Sequence, residues 1–425
     1  MLDMQKRLSN LFYATLSLPS TAMGFALCIQ ISALSWILST RFGLEIHEIG
    51  IVWAAGPTAG ILGQVLIGLI SDKAWFWGGR RRPFILIGGT LAALMVFLLP
   101  RIDMVNDALG IGNLLLVAVV VVVVLDLSIN ISFNPTRTII ADLTPEGEAR
   151  TKGYTWMQTI SGFWGVMAYI LGATLGNDFL IMIGAFVVFA FSVVPMFFIK
   201  EERELKTATD SAAATEADWG QLWRIYIAHG FSWLGVQSMF VFSYGFIQTH
   251  IIPAGLPQAT ADAQSGQIIA YSFAVLNTVG FLLPALVLVP LSKRIGRVHT
   301  QALCIAIMAI GYFMIASFAR TPGMLYALMA VVGIGWSAIV SLPFAIMSDK
   351  VDKSRMGYFM GIFNLSVVLP QLMTTGVGYV LRSADNNSLL YVICGTSLAI
   401  SAALWCLVKD QQGAPAKMGA LAAQH

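Results

Sequence analysis

Asp126 and Arg137 stand inside the thirty-residue stretch from Asn113 to Asp142, which is otherwise largely apolar and holds a long valine-rich tract. A carboxyl group can take up and release a proton, and a guanidinium can pair with an acid or donate to several hydroxyl groups at once. At the centre of a bilayer each charge costs about 2.5–3.5 kcal/mol on insertion scales, so each requires a partner, a water-filled cavity or a function. On a helix, Asp126, Asn130, Asn134 and Arg137 fall at about 0°, 40°, 80° and 20°, one polar wedge some 16 Å long. That wedge must face protein or water. A straight helix keeps the two charges too far apart for a direct ion pair, so pairing would need a bend at Pro135, a water or a bound ligand. The bland alternative is a packing pair that locks this helix to a neighbour; transport is the stronger reading, because intramembrane ionisable groups mark pathways.

The elements that must position these groups follow from composition. The 425 residues are 57% hydrophobic and 11% charged, a balance that excludes a water-soluble domain and indicates an all-α polytopic membrane protein. Although the valine tract resembles a strand by composition, its length and lack of charge predict a bilayer helix. Hydropathy places twelve spans near 12–40, 48–71, 83–100, 112–142, 153–175, 179–199, 221–250, 266–291, 299–319, 324–348, 357–380 and 389–408. Asp126 and Arg137 are the only full charges in the interior of any span, the others lying at span ends. The first apolar run is too long for a signal peptide and is expected to remain as the first span.

The polar interval KEERELKTATDSAAATEADWG separates two six-helix halves. The expected organisation is an N-terminal half over 1–199, a linker over 200–219, a C-terminal half over 220–408 and a tail over 409–425. With alternate loops on opposite sides, twenty of the 25 Lys and Arg residues fall on one side, which places both termini and the linker in the cytoplasm. The net charge of +3 is spread by topology rather than gathered in a patch for nucleic acid. Cys28, Cys304, Cys394 and Cys406 sit in apolar segments without metal spacing and read as small buried hydrophobes. No span or loop offers a nucleophile with its base, a metal cluster or a phosphate-cradling glycine loop, so an enzyme is not supported.

The two halves echo each other. Asn134-Pro135 is followed by Asp142, Arg150 and Gly153-Tyr154, and Leu342-Pro343 by Asp349, Arg355 and Gly357-Tyr358. Ser71-Asp72-Lys73 with Gly79-Arg80-Arg81 pairs with Ser292-Lys293-Arg294 and Gly296-Arg297. Both echoes recur at about half the chain, the pattern of a duplicated transporter.

The segment from Gly68 to Lys73, followed by Gly79-Arg80-Arg81-Arg82-Pro83-Phe84, resembles the loop between helices two and three of the major facilitator superfamily. Its GRRRPF form is similar to the sucrose-transporter branch, related in turn to the glycoside-pentoside-hexuronide symporters. Gln30 and Ser32, Trp53 with Gly56-Pro57, Gln64, Leu125-Asp126 with Asn130, Leu276-Asn277, Ser341 to Ala345, Asn364 and Pro370-Gln371 extend the match along nearly the whole chain. In two places the chain departs from that family. Tyr244 to His250 replaces an aspartate-rich run of the plant members, and His47 stands one residue from the loop histidine when Trp53 is aligned.

The resemblance implies a proton-coupled sugar symporter working by alternating access, without a cofactor. It implies that Asp72 with Arg80 and Arg81 holds the halves together on the cytoplasmic side, with Asp142 and Asp349 joining this latch. A lipid-headgroup patch is the alternative for the arginines, and solvated helix ends for the aspartates. Asp126 is the expected proton carrier and Arg137 its partner or a sugar contact. Proton is preferred to sodium because spans one and two hold no second carboxylate for a sodium cage. His229 and His250 are rival titrating groups, although a lone histidine in a bundle is more often a hydrogen-bonded packing residue.

Sugar recognition requires amides for hydroxyl groups and flat apolar faces for the ring. The candidates are Gln30, Gln64, Asn130, Asn134, Arg137, Asn277, Asn364 and Gln371, with Trp53, Trp233, Tyr271 and Trp336 as platforms. Interhelical bonding is the rival explanation for each amide, and packing for each ring. Asn364 and Gln371, two turns apart, should share a face. The expected substrate is a glucoside such as sucrose or maltose, imported by a monomer through the inner membrane. A facilitator or exporter of another glycoside or polyol, or a transport-dead sugar receptor, are the alternatives.

Overall fold

The computed structural model describes residues 3–54, 56, 75–144, 148–201, 218–348, 350, 356–384 and 386–409. Among them the chain is helical, with one isolated bridge between Phe76 and Gly79. In the order of the chain, α1 is Asn10–Thr40, α2 begins at 46 and is described over 46–54 and at 56, and α3 is Arg82–Leu98. Then follow α4 Leu114–Leu143, α5 Glu148–Leu175 and α6 Asn177–Val193. The second half comprises α7 Trp219–His250, α8 Gln258–Leu283, α9 Arg297–Phe318, α10 Pro322–Ile339, α11 Met356–Ala384 and α12 Leu389–Trp405.

Counted over the described residues, eight of these, some with short helical extensions, are long and apolar enough to cross a membrane, and α12 is apolar but shorter. In hydrocarbon every backbone group must be satisfied within the segment, and this makes the valine tract of α4 a helix despite its β-branched residues. Short polar side chains start the helices by accepting free backbone N–H groups: Ser9 from Phe12, Asn113 from Leu116, Asp218 from Gln221 and Thr321 from Met324. Exposed Leu116, Val120, Phe186 and Ile310 form part of the apolar girdle of an integral membrane protein.

Three boundaries differ from hydropathy. Helix α8 starts at Gln258 rather than near 266, because the polar residues of its first turns sit at the membrane rim, where hydropathy is low. It runs on through a π-helical segment, Pro284–Leu288, into Val289–Ile295. The tenth span is interrupted: α10 ends at Ile339 and a separate helix, Leu342–Ser348, follows a turn at Ser341. Pro343 has no amide hydrogen to bond the carbonyl of Ile339 and its ring crowds that carbonyl, which accounts for the break where α10 ends. In α4, by contrast, Pro135 is carried inside a continuous helix. The third span continues through a 3₁₀ turn, Leu99–Arg101, into Ile102–Leu109, which Gly110 closes with a left-handed cap at φ 61°.

The packing has an internal two-fold pattern. In the first half α1 packs on α5 and α6, and α3 on α4 and α6; in the second α7 packs on α11 and α12, and α9 on α10 and α12. Buried hydroxyls tie each half together, as between Thr21 and Ser161 at 3.0 Å and between Ser232 and Ser401 at 2.7 Å. The halves meet along two equivalent seams. At one, α5 packs on α8; at the other, Thr375 of α11 donates to the Gly50 carbonyl of α2 at 3.1 Å.

Candidate functional site

Between the halves lies a cavity of about 370 Å³, lined by α1, α2 and α4 on one side and by α7, α10 and α11 on the other. Its size falls at the lower end of the roughly 300–1,000 Å³ of small-molecule clefts.

The first-half wall is polar. Asp126 lies here, its Oδ2 accepting from Gln30 Nε2 at 3.2 Å, while Asn130 Nδ2 donates to the Asp126 backbone carbonyl at 2.8 Å. Gly56 of α2 is packed directly on the carboxylate. Among the described residues no cation pairs with this acid. Trp53 also lines the wall, and its indole N–H donates to Ser35 Oγ at 2.9 Å, joining α2 to α1.

The second-half wall is aromatic with an amide edge. Trp336 lies edge-on to Trp233, with ring centres 5.9 Å apart at 81°, and to Phe240, 5.5 Å apart at 83°. Gln371 Nε2 donates to Gln237 Oε1 at 3.3 Å, and Asn364 lines the cavity beside them. Asn364 and Gln371 thus share the face expected from their spacing. Gln237 and Phe240 were not singled out from the sequence; Gln237, one turn beyond Trp233 in an apolar span, carried the available signal.

Asn277 stands one layer back. Its Oδ1 accepts from the Trp336 indole at 3.2 Å and its Nδ2 donates to the Phe273 carbonyl at 2.9 Å, so it holds the platform rather than lining the cavity. Tyr271 pairs with Tyr326, ring centres 5.8 Å apart, and is absent from the cavity wall.

Arg137 shares the helix of Asp126 but does not meet it. Its guanidinium lies over the Phe133 ring, 4.1 Å from the centroid, and it is absent from the described cavity wall, as is Asn134. Among the described residues no ion pair links Arg137 to Asp126, so Pro135 does not bring them together here. Phe133 itself lines the cavity. Gln64 lies outside the described residues.

At the opposite end of the first half, Arg81 Nε donates to Asp142 Oδ2 at 3.1 Å and Arg80 Nη2 lies 3.5 Å from the same oxygen. The Glu201 carboxylate accepts from the backbone N–H groups of Arg80, Arg81 and Arg82 at 2.7–2.9 Å, an anion at the amino end of α3. The bonds to Asp142 lie within one half, and Glu201, in the expected linker, was not anticipated. Asp72 and Asp349, the remaining members of the expected latch, lie outside the described residues. Of the cysteines, Cys304 and Cys394 are buried and Cys28 partly so, but Cys406 is exposed just past the end of α12.

The halves are joined at the end that carries Glu45. Trp36 donates to the Asp262 carbonyl at 2.7 Å, Gln267 to the Ala173 carbonyl at 3.0 Å, and Arg382 pairs with Glu45 at 3.1 Å. Arg382 also donates towards the His47 ring at 3.2 Å, and His47 lies 3.4 Å from Glu45. The Arg382 and Glu45 side chains are largely exposed, so their ion pair should contribute only about 0.5 kcal/mol. Glu45→Arg places two guanidinium groups together and is expected to slow substrate exchange in proteoliposomes by about two- to threefold, the Boltzmann equivalent of that energy. The swap Glu45→Arg with Arg382→Glu should restore the rate; failure of the swap to do so would deny the pair any part in closure.

The sequence profile of the Major Facilitator Superfamily matches residues 16–375 and 261–418. The sucrose transport protein SUC4 of Arabidopsis thaliana is 23% identical over 423 residues, covering 85% of this chain and 82% of that protein. The general alpha-glucoside permease of Schizosaccharomyces pombe is 28% identical over 174 residues, 37% of this chain and 31% of the permease. The crystal structure of the nucleoside transporter NupG superposes with a TM-score of 0.67 at 14% identity, covering 93% of this chain and 98% of that one. A two-fold bundle of paired six-helix halves around a central cavity, matched by the family profile along nearly its whole length, makes this chain a member of the Major Facilitator Superfamily.

Proposed function

We propose that this chain is a proton-coupled symporter that imports a glucoside, a disaccharide such as sucrose or maltose, by alternating access. One observation carries the reading. The central cavity sets Asp126, an acid with no cationic partner among the described residues, in one half against the Trp233 and Trp336 pair in the other. Sugar hydroxyls suit the amides and the carboxylate, and the flat face of a pyranose suits indole. A buried carboxylate held by an amide rather than a cation is poorly compensated, so binding a proton removes a desolvated charge. The names of relatives that cover most of the chain support the sugar assignment, since SUC4 is a sucrose transport protein.

In this reading the protein lies in the inner membrane as a functional monomer, with its termini and the 200–219 linker on the cytoplasmic side. It uses the proton as coupling ion and no cofactor. The closed Glu45 end then faces outward and the conformation is inward-facing. A competition panel in proteoliposomes tests the proposal, with labelled sucrose or maltose against other glycosides and with or without an imposed proton gradient. Uptake should be driven by the gradient and collapse with an uncoupler. Flux indifferent to the uncoupler would make the protein a facilitator, and absence of counterflow would make it a receptor.

A further inference from the structure

His229 lies on α7, one turn before Trp233, and is 2% exposed. It does not line the cavity. Its Nε2 is 2.9 Å from the Trp233 indole nitrogen. Indole N–H can only donate, so Nε2 is the acceptor and the imidazole in this bond is neutral, with its proton on Nδ1. Phe363 of α11 stacks on the imidazole, ring centres 4.8 Å apart at 16°. The Nδ1 atom is buried and has no hydrogen-bond partner among the described residues. A buried donor without a partner destabilises a fold, so packing alone would be served better by an apolar side chain of similar size. What histidine supplies that such a residue cannot is the acceptor for Trp233.

We infer that His229 is a positioning residue for the sugar site, fixing the Trp233 indole and, through its edge contact, Trp336. The inference rests on the proposed glycoside reading. The two rings would otherwise be free to turn within a wall built of α7, α10 and α11; bonds from behind hold both, His229 for Trp233 and Asn277 for Trp336. Both bonds orient a platform that the substrate meets without itself touching the histidine or the asparagine. His229 is thereby separated from the coupling chemistry of Asp126.

The test combines counterflow kinetics with a spectroscopic reading. His229→Leu is expected to raise the half-saturation concentration for labelled sucrose or maltose about tenfold while leaving the maximal rate within about twofold, the pattern of lost uniform binding. His229→Gln, which can present a side-chain oxygen to the indole, should recover much of the affinity. In a Trp233→Phe background, which lacks the N–H, His229→Leu should add nothing further. Unchanged affinity in His229→Leu, or its full effect persisting without Trp233, would overturn the inference while leaving the transport reading intact. If wild-type protein carries no glycoside, the transport reading fails by itself. The positioning is still decided by the indole N–H resonance of Trp233 in nitrogen-15 tryptophan-labelled protein, assigned by its loss in Trp233→Phe. It must move in His229→Leu, and a stationary resonance rejects the bond whatever the ligand.

Discussion

Asp126→Asn is expected to abolish accumulation of sugar against its gradient while counterflow continues. The substitution keeps the size and planar shape of the side chain and leaves an oxygen to accept from Gln30 Nε2, now at 3.2 Å from Asp126 Oδ2, so the cavity wall should survive. What it removes is the one fully charged group that reaches the described cavity and with it the capacity to carry a proton. A coupled step becomes an uncoupled one, and the accumulation ratio should fall to about one, the value for a carrier with no differential free energy to draw on. If sugar meets the several amides and rings of the cavity wall as proposed, the half-saturation concentration in exchange should change only a few-fold, ~1 kcal/mol for one neutral hydrogen bond. Proteoliposomes loaded with unlabelled sugar measure exchange, and an imposed proton gradient measures uphill uptake on the same preparation. Unchanged uphill uptake with unchanged alkalinisation of the medium would remove Asp126 from the coupling step.

Much of the architecture was legible because hydrocarbon imposes it. The valine tract could be nothing but a helix once its length was counted, and of the wedge formed by Asp126, Asn130, Asn134 and Arg137 the first two line the cavity, since lipid cannot solvate a carboxylate, while the last two do not. The shared face of Asn364 and Gln371 followed from two turns of helix. Side-chain reach was not legible. Arg137 lies within the same angular wedge as Asp126, yet a long flexible side chain is placed by its neighbours, and Phe133 one turn earlier offers the guanidinium an aromatic face. Partners from different helices were equally hidden, because spacing along one chain says nothing of what faces it. Asn277 looked like a sugar contact on its own helix, but Trp336 of α10 occupies the intervening space. Glu201 was passed over as part of a charged linker, whereas the amino end of α3 gives it three backbone donors. The early start of α8 was missed because Asp262, which accepts from Gln258 at 2.8 Å and Gln248 at 3.0 Å, sits in helical turns whose composition reads as loop.

Gly56→Ala should impair coupling almost as severely as loss of the acid, although it changes no titrating group. A Cβ built on Gly56 overlaps the Asp126 carboxylate, so α2 can approach α4 this closely only with hydrogen at that position. Of the two partners the backbone of α2 is the stiffer, and the short side chain of Asp126 is the one able to swing aside. Folding should therefore persist, with purified yield close to wild type, while the carboxylate is displaced from Gln30 and from the cavity. Gradient-driven uptake is expected to fall by about tenfold or more, ~1.4 kcal/mol or above, and Gly56→Val should be worse. Exchange should suffer less than uphill uptake, which separates a misplaced acid from a collapsed cavity. The double variant with Asp126→Asn provides the decisive comparison, since two changes acting through one carboxylate cannot add. If Gly56→Ala with Asp126→Asn exchanges sugar as fast as Asp126→Asn alone, the glycine serves the acid; a further loss in the double variant would mean that it shapes the cavity for sugar instead.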